Sequence, residues 1–199
     1  MKLDKETKKN LEQSIKNQGK KFGFKSKNGF LFSKIGENFV TVLYGIVDSC
    51  KLVYTIELKK FSYDDIFWDI LHMPDNKKMP LSLRANGAFS APSIILSQGE
   101  IALSSGVEAI PESFLNMVEE KISFFLSKHE VNSYVLSHKD IPCSSTLMCL
   151  AFLDMDDPSA AVKIAQKEIA AGTRLGGFEN EGKGFFEWLL FKFYNKKDG

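Results

Sequence analysis

The residues best suited to metal or nucleophile chemistry are three cysteines (Cys50, Cys143, Cys149) and three histidines (His72, His129, His138). A structural zinc site calls for paired ligands such as Cys-x2-Cys or His-x3-His. His138, Cys143 and Cys149 supply ligand-type side chains without any such pair, and Cys149 sits in an apolar run where a thiol acts as a small hydrophobe. Asp154, Asp156 and Asp157 resemble part of a calcium loop but lack its glycine and distal glutamate, so a helix-capping turn explains them better. Cys143 could meet His129 or His138 in space, but any chain with this many of both residues allows that. No Gly-x-Ser-x-Gly elbow occurs. The Gly172–Gly177 stretch follows a helix pattern rather than a strand, so it reads as a helix stop and not a phosphate loop. His72, at a helix end, suits a partner for the helix C-terminus better than a base. Glu119 and Glu120 fall on a solvent face. No catalytic residue, cofactor or metal is therefore expected.

Charge is distributed unevenly. Residues 1–36 hold ten lysines against three acids, a surplus of seven, while the whole chain carries +1. Such a lobe could attract a polyanion. Its lack of arginine, the usual bidentate reader of bases, argues against nucleic acid, and a solvated helix face plus a lysine-protected sheet edge accounts for it. The odd cysteine count argues against disulfides. The opening Met-Lys-Leu-Asp-Lys-Glu has charge but no apolar core, so no signal peptide is expected. The longest apolar-rich run, 39–47, falls far short of the roughly 20 residues a membrane helix needs. A cytoplasmic protein with no membrane contact is expected.

The elements that position these residues follow from periodicity. Residues 4–20 predict a polar helix capped by Asp4, with Leu11 and Ile15 inward. Two strands, 22–27 and 29–35, flank Asn28-Gly29. A three-residue loop pairing Phe24 with Phe32 would gather Phe22, Phe24, Phe30 and Phe32 on one face; a two-residue loop would set Phe30 and Phe32 beside Lys27 and Lys25. The buried face decides register, so the three-residue loop is expected. Residues 39–47 predict a central strand. Residues 52–58 alternate, with Leu52, Tyr54, Ile56 and Leu58 inward and Thr55, Glu57 and Lys59 outward. Ser62 should cap a short helix with Ile66, Phe67, Ile70 and Leu71 buried. Strands are then expected at 81–84, in a hairpin 93–96/100–103, and at 131–138. Helices are expected from Pro111 to Lys128, over 145–153, from Asp157-Pro158 to Gly172, and over 181–195.

Strands come in runs rather than alternating with helices. That predicts a single α+β domain over 1–199, an antiparallel meander with helices mainly on one face. The last helix carries seven large apolar residues round nearly its whole circumference: Phe186, Leu190 and Phe191, together with the four Phe185, Trp188, Leu189 and Phe193. Such a helix is buried either in its own fold or by a partner, making these four residues a possible surface for a protein partner or a second copy.

Two stretches resemble a bacterial family defined only as a domain of unknown function. One is the polar first helix running into Gly-Lys-Lys-Phe-Gly-Phe-Lys-Ser-Lys-Asn-Gly-Phe-Leu-Phe (19–32). The other is Asp157-Pro158 through Ile169, followed by a loop and an aromatic last helix. The resemblance covers about a third of the chain and implies a helix-then-meander fold in a bacterial cytosol. It transfers no functional residue. The expected function is a non-enzymatic protein-binding or regulatory module, an immunity-type protein being one form of it. An enzyme with a dispersed site and nucleic-acid binding through the lysine-rich lobe are the alternatives.

Overall fold

The structure, a computed structural model, describes residues 2–103, 107–173 and 179–194. In chain order the described elements are α1 (Lys5–Lys21), β1 (Lys25–Lys27), β2 (Phe30–Ile35), β3 (Asn38–Val47), β4 (Lys51–Lys60), α2 (Phe61–Ile70), α3 (Ser82–Asn86) and β5 (Ile94–Ala102). They continue with α4 (Ile110–Lys128), α5 (Val131–Ser137), α6 (Ser144–Asp154), α7 (Pro158–Ala170), β6 (Glu179–Asn180), β7 (Lys183–Gly184) and α8 (Phe185–Phe193). The β1-β2-β3-β4-β5 sheet is antiparallel and accompanies helices, so the fold is α+β. The chain forms two compact units, Met1–Leu58 with Ile95–His129, and Lys59–Ile94 with Glu130–Gly199.

In the first unit, Asp4 caps α1 by accepting from the Thr7 amide at 2.7 Å. Leu11, Ile15 and Gly19 are the buried positions of α1. Gly19 lets Leu31 approach: a Cβ there would lie 3.2 Å from the leucine methyls. β3 is the middle strand of the sheet, as expected, with Phe39 through Val42 buried on both faces. Tyr44 and Tyr54 bring their rings to 6.2 and 5.7 Å from Phe114 of α4, whose Leu115, Val118 and Ile122 complete the buried stripe.

The hairpin register differs from expectation. Lys25 pairs with Phe32 and Lys27 with Phe30, leaving a two-residue loop. Asn28 and Gly29 both take positive φ, 47° and 81°, as a turn matched to strand twist requires. The expectation assumed one buried face on β2. Both are buried: Phe30 and Phe32 on one, Leu31 on the other. Phe24 is buried too, but its amide donates to Gly19 O, so it belongs to the end of α1. Residues 93–103 also depart from the expected hairpin. They form one strand, β5, with Gly99 in its interior under Tyr54, whose hydroxyl would lie 3.0 Å from a Cβ.

In the second unit, two expected strands are helices. Residues 81–84 enter α3, started by backbone bonds from Leu83 to Pro80 and Arg84 to Leu81. Residues 131–137 form α5 because the Glu130 carboxylate caps the Ser133 amide at 2.8 Å, and Val131 and Val135 then share a buried face. Ser62 lies inside α2 rather than capping it, and the buried side of α2 is Tyr63, Asp64, Phe67, Trp68 and Ile70, with Ile66 half-buried. Asp157 caps α7 as expected, and Gly172 follows its end with φ 71°. The last helix starts at Phe185, later than expected, because β6 and β7 occupy 179–184 as a small hairpin. The expected end of that helix, and 174–177 of the glycine-rich stretch, lie outside the described residues.

Candidate functional site

The densest polar chemistry sits inside the second unit. Lys59, expected to face out, is only 2% exposed. Its ammonium donates to Asp64 Oδ1 at 2.8 Å, Arg84 O at 3.0 Å and Ala91 O at 2.9 Å. Three donors thus meet three acceptors. Asp64 Oδ1 also accepts from the Ala91 amide at 2.8 Å, while Oδ2 has no hydrogen bond and lies 3.7 Å from Arg84 Nη1. Burial raises the Asp64 carboxyl, opposed by Lys59, the Ala91 amide and Arg84. Arg84 donates to Phe61 O at 3.0 Å and to Asp65 at 2.6 Å, and its guanidinium lies 3.9 Å from the Phe61 ring centre. Trp68 Nε1 donates to Phe89 O at 2.6 Å. Gly87 keeps this 84–91 turn tight, since a Cβ there would meet Leu83 O at 2.4 Å.

This cluster pins α2, α3 and the following loop to the end of β4. A Lys59 stripped of its proton to act as base or nucleophile would leave a carbonyl without its donor. Its geometry is that of a charged clamp rather than a reacting group.

A second polar string joins α2, α5 and α6. Ser62 Oγ donates to Asp154 Oδ1, Asn132 Nδ2 donates to Asp154 Oδ2 at 2.8 Å, and Tyr63 OH donates to Asn132 Oδ1 at 2.8 Å. Burial, then the Asp154 and Glu130 charges, raise the Tyr63 phenol. The hydroxyl of Ser62 meets a carboxylate directly, with no imidazole between them.

The remaining sequence candidates fall out separately. Cys149 is fully buried, and burial followed by the Glu168 charge pushes its thiol up to about 12, far from a reactive thiolate. Cys143 is exposed and precedes α6 with φ 55°. His138 bonds Tyr134 O at 2.9 Å and stacks on the Tyr134 ring. Asp157 caps a helix, as a capping turn predicts, whereas Asp154 belongs to the polar string instead. Among the described residues no group of three His, Cys, Asp or Glu could hold a metal ion, and no helix is long and apolar enough to cross a membrane.

On α8, Phe185, Trp188 and Leu189 are buried within the unit, and Phe193 is half-buried. Phe185 stacks on Phe67 at 5.1 Å, and Trp188 Nε1 donates to Asn180 O at 2.9 Å. The aromatic surface that stays open is Phe191, 48% exposed, and Tyr194, 60% exposed. With Ile169, Leu190, Lys183 and Glu187 they line a shallow groove of about 330 Å³. Lys183 Nζ sits 4.6 Å from the Trp188 ring centre and 5.9 Å from that of Phe191, and His72 covers another part of Trp188 at 4.1 Å. Glu187 is held by accepting from the Gly184 amide at 2.7 Å.

Sequence reasoning missed Lys59, Asp64 and Arg84. One signal was available: Arg84 is one of two arginines, with Arg174, among 26 basic residues. Where lysine is the default cation, arginine marks a fixed fork of donors.

Fold and site together define an α+β protein with a clamped ionic core and an aromatic groove on its last helix. No protein-family model, curated protein or solved structure matches this chain.

Proposed function

We propose that this chain is a non-enzymatic protein-binding module, regulatory or immunity-type, that receives a partner's apolar side chain in the groove between the end of α7 and α8. One observation carries the reading. Most rings of α8 are committed to the core, yet Phe191 and Tyr194 stand open beside Ile169, itself 39% exposed. Exposed aromatics next to a shallow apolar floor are the composition of interface centres. Lys183 and Glu187 add one charge of each sign at the rim, which suits a polypeptide better than a small apolar ligand.

A photo-crosslinking residue placed at Phe191 in bacterial cells tests this. The expected result is one dominant protein adduct, absent when the crosslinker sits at exposed Lys163, whose purified partner binds the chain at least tenfold more weakly after Tyr194→Asp. Equal, diffuse adducts from both positions, or unchanged binding by the variant, would overturn the reading.

A further inference from the structure

The first unit carries a different surface. We propose that α1 presents a lysine row that steers an acidic protein surface into place, independently of the α8 groove. Lys5, Lys9, Lys16 and Lys20 stand four, seven and four residues apart. At 100° per residue they fall within an arc of about 60° and extend over about 22 Å. Lys5, Lys9 and Lys20 are exposed and Lys16 is half-buried. Among the described residues none of the four enters an ion pair, and the unit's Lys51–Glu100 bridge lies elsewhere.

Helix stability accounts for only part of the row: Glu12 stands four residues before Lys16, and Lys20 suits the last turn. Lys5 lies in the first turn of the helix, where the macrodipole disfavours a cation. Each end of the row sets two like charges at i,i+4, which repel by about 0.2–0.5 kcal/mol. At its Lys5–Lys9 end the surface thus carries a charge pair that the helix itself does not need.

Pattern selects the occupant. A bilayer would want an apolar face beside the lysines, but Leu11 and Ile15 are 3% and 0% exposed. A nucleic-acid backbone is uniformly negative, whereas this row is broken midway by Glu12 on the same flank. The Glu12 charge also helps raise the buried Tyr44 phenol, second to burial. No arginine or exposed aromatic stands among the four lysines to stack on bases. Two cationic pairs separated by an anion instead match a helix or sheet edge bearing two acidic pairs around a cation. The 4-7-4 spacing reads alike from either end, so a partner helix fits in both directions.

The test uses the full chain and a labelled helical peptide with Glu at i, i+4, i+11 and i+15 and Lys at i+8. Controls are its scrambled isomer, a 20-base-pair DNA duplex and anionic phosphatidylserine vesicles. Association should slow about tenfold between 25 and 200 mM salt, as steering by exposed charges does. The exposed-residue double variant Lys9→Glu/Lys20→Glu should slow it similarly with the helical circular dichroism intact, while Phe191→Asp leaves it unchanged. Glu12→Lys should shift preference toward the duplex. The proposal is overturned if the duplex, vesicles or scrambled peptide bind as well as the matched peptide, or if the double variant binds it as wild type does.

Discussion

The two compact units use charge in opposite ways. The first keeps an apolar interior built on Ile15, Leu31, Val40, Val42 and Phe114, and its lysines, those of α1 and edge strand β1 among them, lie outside that interior. The second puts Lys59, Asp64 and Arg84 in its interior, each 6% exposed or less. One residue type therefore has two lives. Lys59 donates three hydrogen bonds and is fixed, whereas Lys9 has no ion-pair partner among the described residues and remains hydrated. Burying an ion is tolerable only when its hydrogen bonds are complete. Charge in the second unit should thus govern stability, and charge in the first should govern association.

The sharpest way to break that contrast is Asp64→Ala. It takes from the buried Lys59 its Asp64 carboxylate and removes the acceptor of the Ala91 amide, while Arg84 keeps Asp65. The expected loss is about 3–5 kcal/mol. Both tryptophans, Trp68 and Trp188, lie in the second unit, so their fluorescence during urea unfolding reports on it. Lys59→Met/Asp64→Leu should cost much less than the sum of the two single changes, because it removes both charges of the pair. A loss below about 1 kcal/mol for Asp64→Ala would mean the cluster is wet, and the contrast would fail.

The hairpin of the first unit gives the next effect. Both loop residues have positive φ, so Asn28→Val should cost about 1–2 kcal/mol, since a β-branched residue is poorly tolerated there. A three-residue loop would need positive φ at Gly29 alone, and the substitution would then be nearly silent. Guanidinium unfolding of the variant distinguishes the two registers.

That hairpin also shows what was legible in the sequence. Elements with a local cause were readable: the Asp4 and Asp157 caps, the Phe114–Val118–Ile122 stripe, and β3 as a strand apolar on both faces. Elements decided by distant partners were not. The register turned on Leu31 being buried against the side of β2 that the Phe30/Phe32 alternation leaves out. Helix α3 forms where an apolar run read as strand, because Arg84 is held by Phe61 O and Asp65, 23 and 19 residues back. Lys59 looked outward because alternation counts a lysine as polar, and nothing local announces that Asp64, Arg84 and Ala91 will surround it. Of α8, composition revealed an unusual aromatic load but not which rings remain open.

A smaller effect separates an exposed charge that does stabilise from one that does not. Glu130 is half-exposed, yet its carboxylate caps α5 and pairs with Lys60 at 3.0 Å. Burial alone would raise this carboxyl, but the Ser133 and Asn132 amides and Lys60 outweigh it and hold it at about 2. A lowered carboxyl stabilises the fold above its unfolded value, and that contribution fades as pH falls from about 4.5 toward 2. Glu130→Ala should cost about 1 kcal/mol at pH 7, the worth of a helix cap with a partly screened ion pair. The gap to wild type should narrow steadily as pH falls from about 4.5 toward 2, and a gap constant with pH would assign the loss to packing.

The smallest expected effect is the most pointed. Lys9→Glu/Lys20→Glu reverses two charges, yet it should move the stability of the first unit by no more than about 0.5 kcal/mol. The terms oppose one another. Repulsion is relieved at Lys5–Lys9 and Lys16–Lys20, but an acid at position 9 meets Glu6 and Glu12 three residues to either side. Likewise, an acid at position 20 meets the negative end of the helix, where Lys20 and Lys21 now stand. Thermal unfolding followed by circular dichroism measures the sum. A shift above 1 kcal/mol in either direction would show that the lysine row is part of the fold's own electrostatics, and the division between a unit stabilised by its charges and one that merely displays them would have to be abandoned.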